Sequence, residues 1–134
     1  MALISYVNEW ARSRSRVLAM VVGLVAVALC ELGRAFYRPY IYSNHIRDFH
    51  VADTLGNSFG TVATIFVFVS IFGRTFEQGL VTLRTAALSV VVFELAHPLL
   101  GKVIDPWDLF ATLISAALCE AGYRCLSSER TREK

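Results

Sequence analysis

The stretch DFHVADTLGNSFG, residues 48–60, turns from a polar, acidic loop into a long apolar run, and a weaker copy, DPWDLFATLIS, stands at residues 105–115. Laying Asp108 over Asp53 puts Ala111 on Gly56, Thr112 on Asn57 and Ser115 on Gly60, so that acidic, small, polar and small residues recur in one register. Upstream of each copy an apolar run closes on a glutamate, as Glu31-Leu32-Gly33-Arg34 and again as Glu94-Leu95-Ala96-His97. The unit is helix, Glu-Leu-small-basic, loop, Asp, helix, and self-similarity of this kind predicts one supersecondary unit used twice. The expected fold is an all-α membrane protein with four transmembrane helices arranged as two sequence-related helical hairpins.

The composition agrees with that expectation. A chain of 134 residues has room for one domain, and 55% hydrophobic residues is too apolar for an ordinary soluble one. We read residues 1–134 as a single membrane domain, with repeat one at about 17–73, repeat two at about 79–126 and a charged tail at 127–134. The net charge of +2 is small and its basic residues are scattered, which argues against nucleic acid as a partner. Cys30, Cys119 and Cys125 are odd in number and lie in or at the end of apolar runs, so no disulfide framework is implied. Val27-Ala28-Leu29-Cys30 resembles a lipoprotein cleavage box, but Leu29 is too large for the position before the cysteine. The first apolar run is therefore expected to be a retained span rather than a signal peptide.

Taken in order, residues 1–16 form an amphipathic lead with Trp10 and with Arg12, Arg14 and Arg16 at alternating positions, which suits a membrane surface. Residues 17–33 make the first span, close to the ~20 residues that a bilayer core requires. Phe36, Tyr37, Tyr40 and Tyr42 follow as an aromatic belt, and Pro39 argues against a straight continuation of the helix. Span two covers residues 55–72, with Asp53 as its N-terminal cap. A short connector, 73–78, makes span three at 79–96 its antiparallel neighbour, and Arg84 is expected to snorkel to the interface. Span four covers residues 109–126, where Glu120 pairs with Arg124 one turn on. One side of the membrane collects Arg12, Arg14, Arg16, Arg74, Arg124, Arg130, Arg132 and Lys134, against Arg34, Arg38, Arg47 and Lys102 on the other. That asymmetry places both termini in the cytoplasm.

Both motif copies then converge on the outer face. The candidate ligand-binding cluster there is Glu31, Arg34, Asp48, Asp53, Asn57, Glu94, His97, Asp105 and Asp108, with His45 and His50 in the first loop. Carboxylates at the ends of apolar helices are costly unless paired, which makes them functional candidates. The plainer account is that Asp53 and Asp108 cap helices and that Glu31 and Arg34 form a structural ion pair. Glu94-x-x-His97 has di-iron spacing, but its counterpart carries Arg34, which cannot ligate a metal, and a two-metal bundle needs a second Glu-x-x-His. No metal and no cofactor is expected. Glu94 and His97 could act as acid and base on a lipid headgroup, although no serine or cysteine nucleophile motif accompanies them. Gly56-x-x-x-Gly60 and Ala111-x-x-x-Ser115 are small-residue patterns for close helix packing, between repeats or between copies of the chain.

Phe93-Glu94-Leu95-Ala96-His97, Asp105-Pro106-Trp107-Asp108 and Ala111-Thr112-Leu113-Ile114 together resemble the VanZ-like family of small bacterial membrane proteins, some of which are associated with teicoplanin resistance. Glu94, Asp105 and Asp108 match the family pattern, whereas His97 stands where Gln is usual and Ser115 where Gly is usual. The resemblance implies a four-helix integral membrane protein with an envelope role and carries no settled biochemical activity. The expected function is a non-enzymatic one: the acidic, aromatic outer face binds or shields an envelope lipid or amphiphilic compound. A structural or assembly subunit of a membrane complex and a headgroup hydrolase are the alternatives. Membrane lipids are the expected partners, beside a second copy or other membrane proteins.

Overall fold

The computed structural model describes residues 14–132, with side chains through Cys125. The expected amphipathic lead around Trp10 and Arg12 lies outside them, as do the side chains of Arg130, Arg132 and Lys134. Among the described residues every regular element is helical. Helix α1, Arg14–Leu32, passes through a π-helical segment, Gly33–Tyr37, into the short α2, Arg38–Ser43. Then come α3, Val51–Phe72, α4, Phe76–Leu95, a 3-10 turn at His97–Leu100 and α5, Pro106–Arg132.

Among the described residues three stretches are long and apolar enough to cross a membrane: Arg14–Ser43, Val51–Phe72 and Phe76–Leu95. The expected fourth span forms a helix within Pro106–Arg132, although it is not one of the three found among the described residues. The helices are apolar on their outer faces as well as inside. Leu24, Leu88 and Leu118 are 57%, 63% and 67% exposed, a surface suited to hydrocarbon rather than water.

The first helix does not stop before Pro39. Proline lacks an N–H and crowds the carbonyl one turn back, which normally breaks an α-helix. Here the turn just upstream is widened to π geometry, with the Arg38 N–H bonded to the Gly33 carbonyl five residues back, and Pro39 falls in the first turn of α2. Regular α geometry is thus interrupted beside the proline, in keeping with the sequence reading.

Helix α3 is the centre of the molecule. It packs against α1, α4 and α5, while among the described residues the backbone of α1 comes close to neither α4 nor α5. The core gathers Ala19 of α1, Ile65, Phe66 and Val69 of α3, Leu83 and Ala86 of α4, and Cys119 of α5. On α1 the buried residues are Arg16, Ala19, Gly23 and Ala26, whose spacing of three and four lies on one helical face. Gly23 makes the close approach: a Cβ there would lie 2.8 Å from Val67 Cγ2 and 3.1 Å from the Val67 backbone nitrogen. At Gly56 and Gly60 an added Cβ would meet nothing within 4 Å. Within one chain, then, the small-residue contact runs through Gly23.

The connector between α3 and α4 is only Gly73 to Thr75, with Thr75 Oγ1 accepting from the Gln78 amide at 3.2 Å to cap α4. At the same end Gly79 faces Tyr123, whose ring stacks on Phe76 at 5.6 Å. Two arginines behave differently from expectation. Arg16 is buried at 5% exposure, and its guanidinium donates to the carbonyls of Ser70 at 2.8 Å and Ile71 at 2.7 Å. Those carbonyls belong to the last turn of α3, which has no intrahelical donors for them. Arg84 does not snorkel alone. It reaches across to α5 and donates to Glu120 through Nε at 3.1 Å and Nη2 at 2.7 Å, while Arg124 binds the same carboxylate as expected. A carboxylate two long helical turns from the chain's polar ends is thereby clamped between two guanidiniums.

Candidate functional site

At the end where α3 begins and α4 ends, hereafter the motif end, the helix starts are set by aspartates other than those expected. Asp48 Oδ2 accepts from the Ala52 amide at 2.6 Å and Asp105 Oδ1 from the Trp107 amide at 2.9 Å. Both are capping contacts. Asp53 and Asp108, read from the sequence as caps, are thus released for other partners.

Asp53 is held from three sides. The Tyr42 hydroxyl donates to its Oδ1, Arg38 Nη2 stands 3.5 Å away and His50 Nδ1 3.6 Å away. Arg38 Nε also donates to the Tyr42 hydroxyl at 3.3 Å. The His50 ring in turn stacks on Trp107 at 5.5 Å with 12° between the planes. These contacts tie α2, the start of α3 and the start of α5 together. The loop they close contains three non-glycine residues with positive φ, His45, Phe49 and His50.

Deeper and toward α4 lies a polar recess. Glu94, in the last turn of α4, is 6% exposed. Its Oε2 lies 3.3 Å from His97 Nδ1, and the His97 ring meets Phe93 edge-on at 5.3 Å. Asp108 of α5 faces the same space, in electrostatic range of Glu94, His97 and Asp53 and beside the Asn57 side chain of α3. Asp108 Oδ1 is nevertheless buried with no hydrogen-bond partner, and so is Oγ1 of Thr112, a residue with no exposed surface. Two buried, unsatisfied side-chain oxygens stand one turn apart on one face of α5.

Of the expected cluster, the structure brings Asp53, Asn57, Glu94, His97 and Asp108 together. Asp48 and Asp105 serve the helix starts. Glu31 and Arg34 form the expected ion pair at 3.1 Å, but both side chains are 63% exposed and stand apart from the recess. The paired motif positions therefore occupy unlike surroundings: Glu31 is exposed where Glu94 is buried, and Gly60 faces open space where Ser115 is buried. The sequence reading missed Tyr42, Arg38, Trp107 and Thr112 as participants. Only Thr112 carried a signal, through its alignment with Asn57.

Among the described residues no three His, Cys, Asp or Glu side chains converge as metal ligands would. His45 lies exposed in the loop, and His50 is engaged with Trp107 and Asp53. On the α1 side of α3, an open apolar groove of about 670 Å³ lies beside the π-turn, lined by Leu29, Leu32, Phe36, Tyr40, Leu55 and Phe59 among others. Such π-turns are frequent at functional sites. No family model, no curated protein and no solved structure matches the chain.

Proposed function

We propose that the protein is a non-enzymatic integral membrane protein of a bacterial cell envelope, built as two helical hairpins with both termini cytoplasmic, whose motif end faces outward and binds or shields an envelope lipid or amphiphilic compound. The VanZ-like resemblance of residues 93–114 belongs to the same proposal. The observation that carries it is the pair of buried oxygens without partners, Asp108 Oδ1 and Thr112 Oγ1, beside the buried Glu94. Buried polar groups are almost always hydrogen-bonded, and ionisable groups in an apolar medium are costly enough to be functional by default. The aromatic groove at the π-turn supplies an apolar surface at the same end of the molecule for the rest of such a compound.

The triple variant Asp53→Ala, Glu94→Ala, Asp108→Ala is expected to abolish protection against, or binding of, a cationic amphiphile. Glu31→Ala, outside the recess, is expected to leave it intact. Growth inhibition and binding of a fluorescent amphiphile, with helicity checked by circular dichroism, decide this. A folded triple variant with full protection and binding overturns the reading. Single cysteines at Ser43 and Lys102 in a cysteine-free chain should both react with an impermeant thiol reagent on intact cells; labelling of neither would place the motif end in the cytoplasm.

A second reading, an assembly subunit, is favoured by the open space over Gly56 and Gly60, which leaves room for a helix of another chain. Gly60→Leu would then abolish oligomerisation while the acidic residues are dispensable. The hydrolase reading has the Glu94–His97 contact in its favour.

A further inference from the structure

The turn between α4 and α5 carries apolar side chains where a water-facing loop would carry polar ones. Leu99 and Val103 are 88% and 90% exposed, and Leu100 is exposed between them. Single exposed apolar residues are ordinary, but a run of them that extends a larger apolar surface marks an interaction site. Phe93 and Leu95 of α4 precede the turn and Trp107 and Phe110 of α5 follow it, all four exposed. Exposed apolar residues thus pass along the chain from a helix long and apolar enough to span a membrane, through the turn, into α5.

The length of α4 sets the depth of the turn. Its 20 residues rise about 30 Å along the helix axis, the thickness of a bilayer's hydrocarbon core. The last turn of α4 then lies at the core boundary, and the 3-10 turn His97–Leu100 starts just beyond it. Its backbone is also suited to leaving water. An N–H without a partner is costly in lipid, and here the amides of Leu99, Gly101 and Lys102 donate to the carbonyls of Ala96, Pro98 and His97 at 3.0, 3.1 and 3.0 Å. Pro98 has no N–H to satisfy. Gly101 closes the turn at φ +72°, a left-handed conformation that costs a glycine nothing.

We propose that residues 97–103 are a lipid-interface anchor, with Leu99, Leu100 and Val103 among the acyl chains at the edge of the bilayer and the Lys102 ammonium at headgroup level. A long apolar stem with a charged head suits that position, and Lys102 lies in electrostatic range of Glu94. Lipid is the occupant because the surface begins at the hydrocarbon boundary and continues the apolar faces of the helices. His97 opens the turn and contacts Glu94, so the anchor holds that contact at the membrane boundary instead of in bulk water. The anchor goes beyond the binding reading and is the same whichever side of the membrane the motif end faces.

The test uses the full chain with Cys30 and Cys125 replaced by serine and the buried Cys119 kept, reconstituted in phosphatidylcholine nanodiscs. Leu99→Cys and Val103→Cys each carry one nitroxide, and Ser43→Cys, exposed at the end of α2, is the water-facing reference; circular dichroism confirms helicity. Spin relaxation is measured with oxygen, which concentrates in lipid, and with a water-soluble nickel chelate. Oxygen is expected to dominate at positions 99 and 103, and the chelate at position 43. Dominance of the chelate at 99 or 103 would put the turn in water and overturn the proposal. Poor access of both reagents would overturn it too, since protein then covers the turn; dipolar broadening that disappears on dilution with unlabelled chain would identify that cover as a second copy.

Discussion

Replacing Arg16 by alanine is expected to lower the stability of the folded protein by about 3 kcal/mol, the sum of two hydrogen bonds from a charged donor at about 1.5 kcal/mol each. Arg16 sits near the start of α1 and its guanidinium closes on the carbonyls of Ser70 and Ile71, fifty-four and fifty-five residues away. The last carbonyls of a helix have no amide to accept from, and a cation there also meets the negative end of the helix dipole. The contact therefore fastens the beginning of the first helix to the end of α3 and satisfies that end at once. Arg16→Lys keeps the charge but loses the two-pronged geometry, so it should recover less than half of the loss. Reversible unfolding in mixed micelles measures both; a cost below about 1 kcal/mol for Arg16→Ala would show that the contact contributes little.

Gly23→Leu is the second large effect, again about 3 kcal/mol, at the upper end of what overpacking a tight contact costs. Even a bare Cβ at this position falls 2.8 Å from Val67 Cγ2 and 3.1 Å from a backbone nitrogen that cannot rotate away. Among the described residues α1 makes no close backbone approach to α4 or α5 that could hold it if its seam on α3 opens. Loss of stability should thus come with increased protease access to the first helix. Gly60→Leu is the control, because the added side chain enters open space; it should change monomer stability by no more than about 0.5 kcal/mol. If the two variants behave alike, α1 is not seated through Gly23.

The contrast between Gly23 and Gly60 shows where sequence reading reached and where it stopped. Apolar runs bounded by polar loops predicted the helices, and three of them are apolar and long enough to span a membrane. A small-x-x-x-small pattern gives spacing but not facing direction, so Gly56 and Gly60 were as plausible a seam as Ala19, Gly23 and Ala26. Direction is decided by which side of α3 the neighbours occupy, a tertiary property. Pro39 signals an interruption of the regular α-helix, but its form, the π-turn at Gly33–Tyr37, is not legible from the local sequence.

At the site, the sequence located Glu94, His97, Asp53, Asn57 and Asp108 because they punctuate apolar runs. It could not divide the aspartates between capping and binding, since caps at Asp48 and Asp105 are chosen by the loop's path. Nor could it separate Glu31 from Glu94, which share a local motif and differ wholly in burial. Arg84 illustrates the same point within a helix apolar and long enough to span a membrane: snorkelling and pairing are equal from local sequence, and only the approach of α5 brings Glu120 within reach.

The central claim is that the recess of Glu94, Asp108 and Thr112 holds a ligand. It is tested most directly by native mass spectrometry of the full chain purified gently from bacterial membranes, compared with the Glu94→Gln, Asp108→Asn double variant. The wild-type protein is predicted to retain an amphiphile of defined mass that the folded double variant has lost. Equal retention by both proteins, or a wild-type protein that carries nothing from membranes where it is active, would contradict the account.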